Sequence, residues 1–474
     1  MSTPGGPVAT GTRTAPASRL LALAVLCGGM LMIILDGTIV SVALPAIQSD
    51  LGFTPAGLAW TVNAYLVPLG GLLLLAGRLG DLVGRRRLLL AGLALFVLAS
   101  LLCGLAVTAE MLVAARFLQG VGAAMASAVV LGMIVALFPE PGERARAMGA
   151  YAFVGAAGAS LGTLLGGVLT ESVGWRWIFL VNVPIGVVVL LLAVRTVAPD
   201  GAVDRSGRAD VLGGLLVTAG LVLAVLTIVG SSTATDRLGL ATAAVALLAA
   251  FVVRQRRAAE PLVRLGIFGS RAVSGGNAVQ LLTVAGMMGF QFTAALYLQE
   301  ALGYAPAQTG FAMLPIPVTI ALVSLLLSGQ LIARAGARPV LLVGEVLLVA
   351  GLLLLVRPVT GSYLVDVLPS MLVLGLGAGL VLPAVTTVMM SDATPEDAGL
   401  ASGLANTSQQ IGAALGIAAL AALAAARTDA VAAAGATHVD ALSSGYRLAF
   451  AASAVLVAAA TALAVTVLRR NSGS

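Results

Sequence analysis

Apolar runs of about 20 residues, separated by short polar breaks, follow one another along this chain from residue 20 to residue 467. At a rise of about 1.5 Å per residue, a run of that length crosses the roughly 30 Å hydrocarbon layer of a bilayer as an α-helix. The breaks predict fourteen helices, near 20–43, 58–76, 88–107, 110–136, 144–170, 177–195, 210–230, 238–254, 273–299, 307–329, 339–356, 364–389, 397–425 and 446–467. The runs are too long for barrel strands, and an open sheet would leave backbone groups unpaired in lipid. The fold class expected is therefore an all-α integral membrane protein.

The polar breaks carry an internal repeat. The basic, glycine-punctuated turn Gly77-Arg-Leu-Gly-Asp-Leu-Val-Gly-Arg-Arg-Arg87 returns in degenerate form as Gly329-Gln-Leu-Ile-Ala-Arg-Ala-Gly-Ala-Arg-Pro339, an offset of 252 residues. Gly77 aligns with Gly329, Leu79 with Leu331, Gly84 with Gly336 and Arg86 with Arg338. In the apolar runs, Gly149, Gly158 and Gly162 align with Gly403, Gly412 and Gly416 at an offset of 254. Such repeats mark a chain built from two related membrane halves. Six helices with short loops need only about 190 residues, so the surplus corresponds to one extra helix pair. The expected organisation is a tail (1–18), a six-helix half (19–196), a central two-helix hairpin with linkers (197–272), a second six-helix half (273–468) and a short tail (469–474).

Composition sharpens this picture. Hydrophobic residues make up 59% of the chain and charged residues 10%, against about 25% charge in soluble proteins. No soluble domain, nucleic-acid module, nucleotide-binding loop or HExxH stretch is present, which argues against an enzyme and against an ATP-driven pump. All 26 basic residues are arginine. With a cytoplasmic N-terminus most of them fall on the inner side, as the positive-inside rule requires, so the net charge of +6 has a topological origin and implies no nucleic-acid partner. Both termini then lie in the cytoplasm. Trp60, Trp175 and Trp177 fall near outer helix ends, as in an interfacial aromatic belt. Cys27 and Cys103 sit in apolar runs and suggest neither a disulfide nor a metal site. The sole histidine, His438, falls in an expected loop, outside any membrane-embedded relay.

Several motifs add a family resemblance. The turn at 77–87 resembles the signature between helices two and three of the major facilitator superfamily. Leu35-Asp-Gly-Thr-Ile-Val-Ser-Val-Ala-Leu-Pro45, Arg116-Phe-Leu-Gln-Gly120, Gly158-Ala-Ser-Leu-Gly-Thr-Leu-Leu-Gly-Gly167, Gly174-Trp-Arg-Trp-Ile-Phe with Asn182-Val-Pro-Ile-Gly186, Tyr297-Leu-Gln with Gly303-Tyr-Ala-Pro, and Ala401-Ser-Gly-Leu-Ala-Asn406 resemble motifs of its fourteen-helix drug:proton antiporter branch, in matching order. The resemblance spans about residues 20 to 467. One position departs: the antiporter motif usually has a proline after its middle glycine, and Thr163 stands there, so less kinking of the fifth helix is expected. The resemblance implies a monomeric, cofactor-free transporter in the cytoplasmic membrane that exports amphiphilic drugs, antibiotics or related compounds against protons by alternating access. A dedicated exporter of one metabolite (amino acid, lipid or siderophore) and a non-transporting membrane sensor are the alternatives.

Among residues that could carry chemistry, Asp36 stands first. A charge deep in a span costs about 2.5–3.5 kcal/mol on insertion scales, so such a carboxyl needs a partner or a task, here reversible protonation. Capping by Thr38 or Ser41 is the structural alternative. Arg116 lies at a compatible depth and is expected to modulate Asp36 directly or through water, or else to hold backbone carbonyls. Glu300, at the outer end of the ninth helix, reads equally as a second proton or cation site and as a solvated end. Glu345 and Asp366 are compatible with interfacial positions. In the basic turn, Gly77, Gly80 and Gly84 are expected to allow close approach and tight reversal, with Asp81 pairing with the turn arginines or a helix N-terminus; the resemblance gives this turn, including Arg85 and Arg86, a conformational latch role. Gly158, Gly162 and Gly166, with Gly167, form small-residue steps for close helix contact, which the resemblance places at the gate between halves. Gln280, Met287, Gln291, Asn406 and Gln409 are candidates for the wall of a substrate cavity.

Overall fold

A computed structural model describes residues 16–200, 208–230, 233–357, 362–391 and 398–467. Most of the expected tails, together with Arg13, Arg205, Arg469 and Arg470, lie outside the described residues. Among the described residues, fourteen helices are long and apolar enough to cross a membrane: α1 (Arg19–Leu51), α2 (Gly57–Val83), α3 (Arg85–Gly104), α4 (Ala109–Leu137), α5 (Gly142–Ser172), α6 (Trp177–Thr196), α7 (Val211–Val229), α8 (Thr235–Arg257), α9 (Arg271–Ala301), α10 (Pro306–Ala335), α11 (Ala337–Val356), α12 (Tyr363–Met390), α13 (Gly399–Ala433) and α14 (His438–Val467). Several overrun the expected ends. α1 continues through Pro45 to Leu51, and α14 starts at His438, which is helical rather than in a loop.

Both copies of the repeat fold alike. Gly84 separates α2 from α3 with φ +112°, and Gly336 separates α10 from α11 with φ +85°. Side chains are strained at such angles, and glycine is not. The helix pairings match as well: α1 packs on α5 as α9 packs on α13, and α3 packs on α4 as α11 packs on α12. At the α3–α4 contact a Cβ on Gly92 would stand 2.8 Å from the Gly122 carbonyl oxygen; at the α11–α12 contact a Cβ on Gly344 would stand 2.9 Å from that of Gly377. Backbone contact this close fits helix association in lipid, where packing and not hydrophobicity holds helices together.

The extra pair lies against the seam between the halves. α7 packs on both α2 and α13, while only 6% of the most apolar stretch of α8 is buried. On the opposite flank α5 meets α10, and that contact is concentrated at the end of the molecule away from the 77–87 turn. There the Thr163 carbonyl oxygen would lie 2.7 Å from a Cβ on Gly310, and the Ala307 N–H donates to Glu171 Oε2 at 3.0 Å. Gln299 of α9 also reaches across at this far end, donating from Nε2 to the Val42 carbonyl oxygen at 2.9 Å. Toward the basic-turn end, α5 exposes Gly149, Ala150, Ala152 and Phe153. Trp60 and Trp177 lie at the far end as expected, but Trp175 packs inward, its indole N–H donating to Asp50 Oδ2 at 3.0 Å.

Candidate functional site

Asp36 and Arg116 meet in the middle of the first half, and neither has exposed surface. Arg116 donates from one terminal nitrogen to Asp36 Oδ2 at 2.5 Å and to Gln119 Oε1 at 2.7 Å, and from Nε to the Thr61 carbonyl oxygen at 2.8 Å. Asp36 Oδ1 accepts from Gln119 Nε2 at 2.8 Å and from Asn182 Nδ2 at 2.9 Å. The guanidinium sits 4.4 Å from the centre of the Tyr65 ring and 5.5 Å from that of Phe179, a cation–π seat. Gln119 also donates to the Ser100 hydroxyl at 2.8 Å. The carboxyl therefore ties α1 to α4 and α6. All of its partners donate, which suits an ionised carboxylate, an acceptor only. Thr38 and Ser41, the alternative caps, donate to carbonyls of their own helix instead. Sequence reasoning missed Gln119 and Asn182 as partners. Gln119 had a signal, three residues after Arg116 on one helix face; Asn182 had only its polarity.

The basic turn is less uniform than its glycine spacing suggests. A Cβ at Gly80 would collide with Val129 of α4, and Gly84 holds its positive φ beside the Asp200 carboxylate. Gly77, by contrast, has open space around it, so it serves no close approach. Asp81 accepts from Arg85 at 2.9 Å, both half exposed, and it does not cap a helix. The start of α3 is capped by Asp200, which accepts from the backbone N–H groups of Arg86 at 2.9 Å and Arg87 at 3.2 Å. The Arg86 guanidinium donates to the Val194 carbonyl oxygen at 2.7 Å. Arg78 pairs with Glu260, from the linker after α8, and Glu260 also accepts from the Arg208 N–H at 3.0 Å. Arg78 and that backbone N–H hold the exposed Glu260 carboxyl below its ordinary range.

The fifth helix separates two jobs. Gly158, Gly162 and Gly166 all face α1: their added Cβ atoms would meet Ile34, the Leu35 carbonyl oxygen and Ile39. They are packing positions against α1, inside one half. Gly167 and Thr163 make the contact with α10, against Pro306, Ala307 and Gly310. The Thr163 hydroxyl donates to the Ser160 carbonyl oxygen of its own helix at 3.0 Å, and α5 contains no internal proline.

The sequence profile of the Major Facilitator Superfamily matches residues 26–417. The chain belongs to the major facilitator superfamily. It is thus a multi-pass membrane transporter and not an enzyme. Among curated relatives it is 39% identical over 409 residues to the puromycin resistance protein pur8 of Streptomyces alboniger, covering 85% of this chain and 81% of that one. It is 38% identical over 432 residues to the cephamycin export protein CmcT of Amycolatopsis lactamdurans, covering 89% and 88%. Among solved structures it superposes on a bacterial homologue of the human lysosomal transporter Spinster, in an inward-facing and occupied conformation. The TM-score there is 0.71 at 16% identity, over 96% of this chain and 98% of that one. That likeness shows the fold alone.

Within the superfamily fold, the remaining candidates do not gather at one place. A cavity of about 520 Å³ opens at the far end between α1, α9, α13 and α14; Glu300, Asp429, His438 and Tyr446 are among its walls. Glu300 lies on a π-helical turn, Tyr297–Ala301, and accepts the Tyr446 hydroxyl. None of Gln280, Met287, Gln291, Asn406 and Gln409 lines this cavity. Gln280 is buried, with Oε1 lacking a hydrogen-bond partner, and Asn406 is exposed. Glu345 is not interfacial: it is fully buried, against Thr283 of α9.

Proposed function

We propose that this transporter exports amphiphilic drug-like or antibiotic compounds from the cytoplasm in exchange for protons, with Asp36 as the coupling site. The observation that carries the reading is the sealed Asp36–Arg116–Gln119–Asn182 cluster. Protonating Asp36 removes the charge that Arg116 balances and so weakens the tie of α1 to α4 and α6. α1 is packed through Gly158, Gly162 and Gly166 onto α5, whose next face touches α10 of the other half. A proton on Asp36 thereby biases the contact between the halves. With the arginine bias read as positive-inside, the basic-turn end and both termini face the cytoplasm, and the far end, where α5 meets α10, faces outward. The membrane potential supplies about 2.3 kcal/mol per charge per 100 mV to the exchange.

The relatives named for resistance to and export of antibiotics support the substrate class. A dedicated exporter of one compound is the second reading, favoured by similarity to CmcT, which is named for export of cephamycin. Uptake of a fluorescent amphiphilic cation by inside-out vesicles tests both. Uncoupler-sensitive accumulation in the parent, absent in folded Asp36→Asn, is the expected result. Normal uptake by Asp36→Asn sinks the coupling assignment, and no uptake by the parent favours the dedicated exporter.

A further inference from the structure

We infer that Glu345 is a proton-binding site of the second half, separate from Asp36 and holding its proton in this conformation. Its setting differs from that of Asp36 in every respect that governs charge. Asp36 has an arginine and two amides donating to it; Glu345 has one neutral hydroxyl. The Thr283 Oγ lies 2.6 Å from Glu345 Oε1 and 2.9 Å from the Val279 carbonyl oxygen, one turn back on its own helix. A threonine hydroxyl has a single proton to give. When it goes to Val279, the short contact to Glu345 needs a proton from the carboxyl. The other oxygen, Oε2, is buried with no hydrogen-bond partner, an arrangement that is severe for a carboxylate and mild for a carboxylic acid.

Among the described residues no cation compensates: on α10 the one ionisable side chain is Arg334, exposed at the basic-turn end. On α9 the only ionisable side chains are Arg271 and, at the opposite end, Tyr297 and Glu300; on α12 they are Tyr363 and Asp366, at its start. α14 carries His438, Asp440, Tyr446 and Arg447, all near the far end. On α11 itself Arg338 donates to the Val465 carbonyl oxygen, about two turns from Glu345.

Packing does not ask for the carboxyl either. The offset of 252 that superposes the two basic turns pairs Gly344 with Gly92 and Glu345 with Leu93. Both glycines sit at the equivalent helix contact, and Leu93, like Glu345, is buried. One half fills this position with leucine; the other places an acid there. The acid also has a polar approach. Asn277, Gln280 and Thr283 recur every three residues along α9 from its basic-turn end, each about 95% buried, and the Ser408 hydroxyl of α13 donates to Asn277 at 2.9 Å. Successive side chains at that spacing are neighbours on the helix surface, so buried polar groups step from the basic-turn end toward Thr283.

Infrared difference spectroscopy of the purified full-length protein in liposomes, without substrate or gradient, tests this directly. The parent should show a deuterium-sensitive carboxylic-acid C=O band at neutral pH. The band should vanish in both Glu345→Gln and Glu345→Leu, persist in Asp36→Asn, shift in Thr283→Val, and convert to carboxylate on alkaline titration. Glu345→Leu reproduces the residue of the related half and guards against misfolding of the glutamine variant. A spectrum unchanged by Glu345→Gln overturns the inference, as does a band that stays constant across the whole alkaline range in which the protein remains folded. The readout needs no transport, so failure of proton-driven export in vesicles and failure of this site are separate results.

Discussion

At the scale of single residues, a buried ion pair makes an asymmetric prediction. Asp36→Asn keeps the shape of the cluster and removes the ionisable group, so it should fold and fail to accumulate substrate. Arg116→Ala strands the carboxylate in a dry site and should lower stability by about 3–5 kcal/mol. Adding Asp36→Asn to Arg116→Ala should recover part of that loss, read as a thermal midpoint in detergent and analysed as a double-mutant cycle. The glycines of the basic turn give a second contrast. Gly84→Ala forces a side chain to φ +112° beside Asp200 and should cost about 1–3 kcal/mol. Gly77→Ala meets nothing within a helix interior and should be neutral or stabilising by about 0.5–1 kcal/mol; equal losses for the two would refute this division. Asp36 and Arg116 were legible in the sequence because a charge in an apolar run is too costly to be incidental. Asn182, Ser100 and Tyr65 were not legible, because they reach the pair from helices whose rotation is set by packing.

At the scale of elements, the ends of the inserted hairpin are tied by one carboxylate. Asp210 caps α7 through the Gly213 N–H at 3.0 Å and accepts from Arg254 at 2.9 Å and Gln255 at 2.8 Å on α8. Burial pushes this carboxyl up, yet the Gly213 N–H, Arg254 and Gln255 outweigh it and hold it below its ordinary value. A depressed carboxyl stabilises the fold at pH values above its unfolded value of about 3.9 and loses that contribution as pH falls through the folded value. Asp210→Asn should therefore cost about 1–2 kcal/mol at neutral pH. The gap between variant and parent thermal midpoints should close as the buffer is taken below about pH 4. A gap that persists in acid would mean the tie is not electrostatic. The helices themselves were readable from apolar run lengths; their ends were not. α1 passes Pro45 because Ile47 is buried and Asp50 is held by Trp175 and Arg176, whereas the exposed start of α14 at His438 is set locally, by the Thr437 hydroxyl accepting from the Asp440 N–H.

At the scale of the whole molecule, the repeat made the two halves legible, since Gly84 and Gly336 recur in the same conformation. Where the hairpin docks was not legible: residues such as Gly71 and Thr218, which bring α2 and α7 together, carry no signal of which seam they close. The contact between α5 and α10 offers a test of the moving parts. In a background lacking Cys27 and Cys103, cysteines at Glu171 and Ala307, where a side chain already meets the facing backbone at 3.0 Å, should be joined by a short, reducible bifunctional thiol reagent, which should arrest transport and release it on reduction. Transport undiminished by a complete cross-link would show that this contact never opens. The placement of the hairpin also has a consequence for molecules that arrive dissolved in the bilayer and not in water. On one flank α7 roofs the joint between α2 and α13, so hydrocarbon chains cannot slip between the halves there. On the other, α5 and α10 bury only 29% and 28% of their most apolar stretches, and they part toward the basic-turn end. Among the described residues the two flanks thus differ toward the surrounding lipid: α7 covers one, and on the other α5 and α10 touch mainly at the far end.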